Sequence, residues 1–488
     1  MEAALSSDEF RVRQIVPGES TRSIGANRYM VDLASPEAVG ALHAMVRGEQ
    51  DSRVGAVINF MGLSEPFHQV GPSDHALPLA EGLFHVLRRF EADLRASAKQ
   101  GGGWVYNFTS LGGKFGLDGG KELPLAQTGT LGMCKSVGKE WPGVRVKNID
   151  LDPDMDPQML FAQVAQEIVC DDGLTEVGFS GNERWTVQLV DVPADHSARE
   201  PLSLDADSVV LITGGAYGVT ADAALHLARR AQPRLVLVGR SPLEQEPEDT
   251  RGLADAAALR HHFIQRMRQQ GAAMTPAKIE RAVQRLLKTR RIHANIAAMR
   301  QAGSEVEYHA VSVTDAEQFG QLIDDLYGRF GRIDGVIHGA GVIEDSLLAK
   351  KTTESFARVF RTKADGANVL AERLRPEGLK FLVFFSSVSG RFGNAGQIDY
   401  SAANEYLNKL AVHLDAQWPG RVVAINWGPW DAGMISEELR RLYRARGIEL
   451  IPIEAGAEAL IAELRMPQAN EPEVTIACGI QAIAEIGK

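Results

Sequence analysis

The chain resembles itself. Displaced by 277 positions, Phe108–Gly116 (FTSLGGKFG) falls on Phe385–Gly393 (FSSVSGRFG), and with no gap Trp141-Pro142-Gly143 falls on Trp418-Pro419-Gly420. A displacement of 279 lays Arg53–Leu63 (RVGAVINFMGL) on Arg332–Val342 (RIDGVIHGAGV). Matches in the same order at near-constant spacing restrict the fold to two related halves. The length, 488 residues, suits two or three domains.

The second half alternates short apolar runs with helical segments. Strands are predicted at Val209–Ile212, Leu235–Val238, Gly335–His338, Leu382–Phe385 and Val422–Asn426. Runs that are apolar without alternation suit strands covered on both faces, as in a parallel, doubly wound α/β sheet of Rossmann-like form. The first half supplies Val54–Phe60, Trp104–Phe108 and Val144–Ile149, but begins too late to hold a first βαβ unit. It is therefore predicted to be a truncated copy. Asp195–Asp207, polar and with a proline, reads as linker, which divides the chain into 1–200 and 201–488.

One segment breaks the rhythm, from about 243 to 303, where a strand–helix connection needs far fewer residues. Ala254–Gln270 and Pro276–Gln301 read as helices, the second with Thr275 as N-cap and proline at its first position. Arg281, Arg285, Lys288, Arg290 and Arg291 make it basic. It reads as a solvated hairpin or as a docking surface for an acidic partner.

A net charge of -11 argues against a nucleic-acid binder, which needs a basic face. Cys134, Cys170 and Cys478 lie far apart, in no metal-ligand spacing, so no metal is expected. No apolar run approaches a membrane span and no signal-peptide pattern opens the chain, so a cytoplasmic location is expected.

Directly after the first strand of the second half comes Thr213-Gly214-Gly215-Ala216-Tyr217-Gly218-Val219-Thr220, then a helical run from Ala221 to Ala231. A glycine-rich turn between strand and helix aims backbone N–H groups and the positive helix end at a pyrophosphate. The next strand ends in Val238-Gly239-Arg240-Ser241. An acidic residue there would bind the ribose hydroxyls of NAD, whereas Arg240 offers a fork to a 2′-phosphate and selects NADPH. In His338-Gly339-Ala340-Gly341 the small residues let backbone approach the cofactor.

Ser387 and Tyr400 are 13 apart, and Asn404 lies one helical turn beyond Tyr400. Reducing a carbonyl with hydride needs a donor to polarise it and a proton for the emerging alkoxide. A serine hydroxyl serves the first need. A tyrosine serves the second if a cation draws its pKa down.

Together, TGGAYGVT, HGAG, the Ser387–Tyr400 spacing and Asn426–Trp430 (NWGPW) resemble ketoreductase domains of modular polyketide synthases, within the short-chain dehydrogenase/reductase superfamily. The GVT loop ending and the helical insertion resemble most the ketoreductases of polyunsaturated-fatty-acid synthases. The resemblance implies a cofactor-free structural half followed by a catalytic half that reduces a β-ketoacyl group on an acyl carrier protein with NADPH, among neighbouring megasynthase domains. It implies Lys363 as the lysine that lowers the pKa of Tyr400, with Asn404 in a proton relay. It places Ser312-Val313 at the adenine, where Asp is usual in place of Ser312, and Pro429 beside the cofactor. Asp345, Phe392, Trp430 and Met434 are implied at the substrate, with Met434–Arg446 as a lid. The usual third loop glycine is Thr220 here.

The first half supplies a control. Ser110 matches Ser387, but Leu123 stands opposite Tyr400, Gln127 opposite Asn404, and Leu79 near Lys363, so that half is expected to be silent. Ile343-Glu344-Asp345 partly matches the Leu-Asp-Asp marker of the family, and Phe392 replaces the tryptophan that marks the opposite facial preference. The resemblance thus implies a D, usually 3R, product. Two other readings compete: a catalytically silent scaffold domain, and a free-standing reductase of small carbonyls. Loss of Tyr400, Lys363 or the glycine loop would mark the first, and none is lost. The cofactor-free half and NWGPW speak against the second.

Overall fold

A computed structural model describes residues 11–48, 53–119, 122–191, 203–269, 275–432, 437–466 and 471–479. A small sheet in the order β1-β3-β2 opens it, from β1 (Gln14–Pro17), β2 (Arg22–Gly25) and β3 (Arg28–Val31). A five-stranded sheet follows, running in chain order through β4 (Ala56–Asn59), β5 (Trp104–Thr109), β6 (Arg145–Leu151), β7 (Glu176–Ser180) and β8 (Glu183–Trp185). Its first four strands are parallel and β8 is antiparallel.

The second half forms a seven-stranded parallel sheet of β9 (Val209–Thr213), β10 (Arg234–Gly239), β11 (Val306–Ala310), β12 (Gly335–His338), β13 (Phe381–Ser387), β14 (Arg421–Trp427) and β15 (Glu473–Ile476). The order β11-β10-β9-β12-β13-β14-β15 reverses direction between β9 and β12, the crevice where doubly wound sheets bind ligands. All five runs read as strands in the second half are strands. β9 and β14 are buried along their whole length, as apolar runs without alternation require. β4, β5 and β6 occupy the repeat positions of β12, β13 and β14, and the five-stranded sheet has no counterpart of β9 to β11 among the described residues. It is the truncated copy that the repeat implies.

The halves meet through equivalent helices. Thr128–Glu140 packs along Ile398–Asp415, and Ala76–Ala98 packs on Thr353–Arg373, where Phe84 stacks on Phe356 with centroids 4.9 Å apart. Gly132 makes the first contact possible, since a Cβ there would overlap the Ser401 carbonyl oxygen. Around it lies a buried charge cluster: Lys135 reaches Glu405 at 3.1 Å and Glu176 at 3.4 Å, Arg391 pairs with Glu176, and Lys409 reaches Glu473 at 3.2 Å. Removing one member of such a cluster strands a buried charge, at a cost of about 3–5 kcal/mol.

The insertion holds the helices Ala256–Gln269 and Pro276–Gln301, the latter capped by Thr275. It is not a hairpin standing in solvent: the second helix packs on Val219–Ala231, and Ile292, Ile296 and Met299 join the core beneath it. Most of the linker expected at Asp195–Asp207 lies outside the described residues, as does Met434. No helix among the described residues is long and apolar enough to cross a membrane.

Candidate active site

A cleft of about 490 Å³ opens at the carboxyl ends of the seven strands, at the switch point. Its floor is the glycine-rich turn. Gly214 and Gly218 sit at φ +73° and +68°, where side-chain-bearing residues are strained. A Cβ on Gly214 would lie 2.8 Å from the Gly339 carbonyl oxygen, so this turn and HGAG are in direct contact. Gly218 starts the Val219–Ala231 helix with no side-chain cap, which leaves the Val219 and Thr220 N–H groups available to an anion. Thr220, in place of a third glycine, is buried and fits because Gly339 has no side chain: a Cβ there would come within 2.5 Å of it. Arg240 borders the cleft at the end of β10, and no carboxylate pairs with it among the described residues. Backbone donors, a helix N-terminus and an unpaired guanidinium are a donor set that fits a phosphorylated dinucleotide.

Behind the turn, three segments are tied together by one buried imidazole. Thr213 Oγ1 and His338 Nδ1 are 2.8 Å apart, His338 Nε2 lies 3.0 Å from the Lys363 carbonyl oxygen, and Ala340 N–H donates to Thr213 Oγ1 at 3.2 Å. Burial, then the Lys363 charge, holds the pKa of His338 down to about 3, so the ring is neutral. Its Nε2–H donates to the carbonyl and its Nδ1 accepts from the threonine.

The chemical end of the cleft brings together Lys363, Ser387 and Tyr400. Lys363 is buried on the Thr353–Arg373 helix and donates to the Phe385 carbonyl at 2.7 Å; its Nζ is 5.5 Å from the centre of the Tyr400 ring. Burial pushes the ammonium down to about 7. Ser387, at the end of β13, accepts from Ser389 N at 3.2 Å and from Ser389 Oγ at 3.1 Å, which leaves its own hydrogen free to donate. Asn404 donates Nδ2 to the Tyr400 carbonyl at 2.7 Å, and its Oδ1 is buried without a hydrogen-bond partner. The expectation that Lys363 draws the phenol towards neutrality is not met. Burial pushes Tyr400 up to about 12, only partly offset by hydrogen bonding from Asn404 and Ser387. The lysine is engaged by the Phe385 carbonyl instead.

Of the remaining candidates, Ala216, Tyr217, Val219, Ser241, Val313, Ala340, Gly341, Phe392, Pro429 and Trp430 border the cleft. Thr213, Gly215, Ser312, Asn404 and Asp345 do not. Thr213 is taken up by His338, and Gly215 backs onto Ile212 and Leu237, leaving no room for a side chain. Ser312 Oγ bonds Thr314 Oγ1 at 2.9 Å, and Asp345 accepts from Gln397 Nε2 at 3.0 and 3.1 Å. Ile292, Tyr308 and Gln397 also line the cleft and sequence reasoning missed them, as do Lys288, read there only as part of a basic helix, and Tyr443. Tyr443 comes from the Glu437–Ala445 helix, inside the segment expected to be a lid.

The first half reaches into this region. Glu140 accepts from Leu348 N at 2.6 Å and from Gly396 N at 2.9 Å, so one carboxylate ties down the loops that carry Asp345 and Gln397. Its own repeat-related site is filled: Ser110 N–H donates to Gln127 Oε1 at 2.8 Å, and Leu123 and Leu79 are buried.

Residues 208–432 match the family model described as KR domain. The chain is 30% identical over 396 residues to one component of the polyunsaturated fatty acid synthase of Thraustochytrium sp., covering 78% of this chain and 14% of that protein. A ketoreductase from the first module of phoslactomycin biosynthesis in Streptomyces sp. HK803 superposes with TM-score 0.61 and 26% identity, over 82% of this chain and 79% of the other. An N-terminal ketoreductase from a macrolactin assembly line superposes with TM-score 0.69 and 21% identity, over 98% and 84% of the two chains. The sheet order, the paired halves and these likenesses agree: residues 208–432 form a KR domain, in a chain similar to the ketoreductase-bearing components of polyketide and polyunsaturated-fatty-acid synthases.

Proposed function

We propose that the chain reduces the β-keto group of an acyl chain held on the phosphopantetheine arm of an acyl carrier protein, with NADPH as reductant, to the 3R hydroxyl. The observation that carries this reading is the convergence of Lys363, Ser387 and Tyr400 on the cleft that also holds the glycine turn and an unpaired Arg240. When bound, the reduced nicotinamide supplies a hydride to the β-carbon. The turn and the start of the Val219–Ala231 helix hold the pyrophosphate, and Arg240 with Ser241 holds the 2′-phosphate. Lys363 holds the ribose hydroxyls.

Ser387 donates its hydroxyl hydrogen to the ketone oxygen, and Tyr400 gives that oxygen a proton as negative charge develops. A phenol held near 12 stays protonated at neutral pH, yet it is a stronger acid than the alcohol being formed. Asn404, with its unpartnered Oδ1, supports the relay that returns the proton to Tyr400. Residues 201–488 act as the catalytic unit and 1–200 as its structural support, working among the other domains of a megasynthase. Retention of Asp345 and the absence of tryptophan at Phe392 favour the 3R product.

The test is NADPH oxidation with a β-ketoacyl thioester that mimics the carrier arm. Turnover is expected with NADPH, and Arg240→Ala is expected to raise KM for NADPH about 10- to 100-fold while leaving that for NADH nearly unchanged. Equal effects on both cofactors would remove Arg240 from phosphate recognition. No oxidation with any β-ketoacyl thioester would remove the reductase reading.

A further inference from the structure

The insertion helix Pro276–Gln301 presents one face to the cofactor end of the cleft. Lys288, Ile292 and Asn295 recur at i, i+4 and i+7, the spacing of a single helical stripe. Asn295 Nδ2 donates to the Ala216 carbonyl at 3.0 Å, fastening the helix to the glycine turn. Ile292 is buried against the same wall, and Lys288 reaches the rim with its ammonium 5.5 Å from the centre of the Tyr217 ring.

Several arginines of the insertion are paired. Arg285 pairs with Glu244, Arg290 with Glu246, Arg260 with Glu280 and Arg266 with Asp249. Lys288, like Arg281 and Arg291, has no carboxylate within ion-pair distance among the described residues, but of these three it alone lines the cleft, where it faces Arg240, which has no such partner either. Partial burial and then the Arg240 charge push the Lys288 pKa down, so the two cations stand close enough to repel each other. Two like charges converging on a cleft rim, each without a counter-ion, mark a place built for an anion of more than one charge.

We propose that Lys288 completes a two-cation clamp with Arg240 on the phosphate monoester at the 2′ position of the cofactor adenosine, so that the insertion is a cofactor-specificity element. This rests on the NADPH reading above. Arg240 enters from the end of β10 and Lys288 from the insertion helix, while the Tyr217 ring lies beside the Lys288 ammonium.

Calorimetry on the full chain tests this without turnover, using adenosine 2′,5′-bisphosphate and adenosine 5′-monophosphate as probes. Lys288→Gln is expected to weaken the bisphosphate about tenfold and leave the monophosphate unchanged, with Lys288→Arg restoring most of the loss. Unchanged bisphosphate affinity in Lys288→Gln, or equal weakening of both probes, overturns the clamp, the second outcome making Lys288 a support of the turn. Arg240→Ala run alongside separates the two readings. If it also spares the bisphosphate, the 2′-phosphate site itself is wrong; if it alone weakens the bisphosphate, only the insertion's part is.

Discussion

The buried ammonium of Lys363 stands 5.5 Å from the centre of the Tyr400 ring while its hydrogen bond goes to the Phe385 carbonyl. Its folded pKa of about 7 lies well below the value of 10.5 for an exposed lysine, so charging it in the folded state is costly. Between those two values the unfolded chain binds the extra proton, and stability contributed at this site rises with pH. Below about 7 both states are charged and the full cost is present. Lys363→Met is therefore expected to stabilise the cofactor-free protein at pH 6 by ~1–3 kcal/mol, an advantage that shrinks towards pH 10. Thermal unfolding of both proteins across that range measures it; a constant difference in Tm would show that Lys363 carries no such cost.

Tyr400→Phe keeps the ring and the helix but removes the transferable proton. Turnover is expected to fall about 10²–10⁴-fold with nucleotide affinity unchanged. A variant that keeps wild-type turnover would move the proton donor elsewhere, with Tyr443, another phenol of the cleft, the next residue to change.

Glu140 offers a test of what the first half does for the second. Glu140→Ala removes two charge-assisted bonds to the Leu348 and Gly396 amides. The loops bearing Asp345 and Gln397 lose their anchor, while the glycine turn is untouched. KM for the thioester is expected to rise about tenfold and NADPH affinity to hold. A parallel loss of NADPH affinity would mean that the halves communicate through the whole sheet.

The same loops bear on stereochemistry. Reduction of an unbranched β-ketoacyl thioester is expected to give mainly 3R alcohol by chiral chromatography. Gln397→Ala, which frees Asp345, is expected to erode that excess without reversing it. Mainly 3S alcohol from the wild type would refute the assignment of Asp345 and leave the reduction intact.

At the helix contact between the halves, Gly132→Val sets a branched side chain against the Ser401 carbonyl. A loss of ~2–4 kcal/mol is expected in chemical denaturation, since backbone on the far side cannot move aside.

What could be read from the sequence followed burial. β13 (FLVFFSS) and β14 (RVVAINW) announce themselves as apolar runs, whereas β11 (VEYHA) and β15 (EVTI) are half-exposed edge strands with mixed patterns. The spacing of Ser387, Tyr400 and Asn404 was readable because a strand end and one helical turn fix it. Thr213 reads as a cofactor contact because it precedes the glycine turn, and only the neighbouring His338, 125 residues away, reveals the bond that its hydroxyl makes. The Lys288, Ile292 and Asn295 stripe was present in the sequence, but nothing local says which structure that face meets. The phenol of Tyr400 was expected near neutrality because sequence shows a nearby lysine and hides the burial that outweighs it.

The packing of Thr128–Glu140 on Ile398–Asp415 joins repeat-equivalent surfaces, so it has the form of a twofold contact between identical subunits, made within a single chain. Tethering turns an encounter between two molecules into a closure within one, at an effective concentration of order millimolar or more. Dilution then has no partner to release. A pair held this way also escapes the need for both members to stay alike, so Leu123 and Gln127 could fill one site while Tyr400 and Asn404 kept the other working.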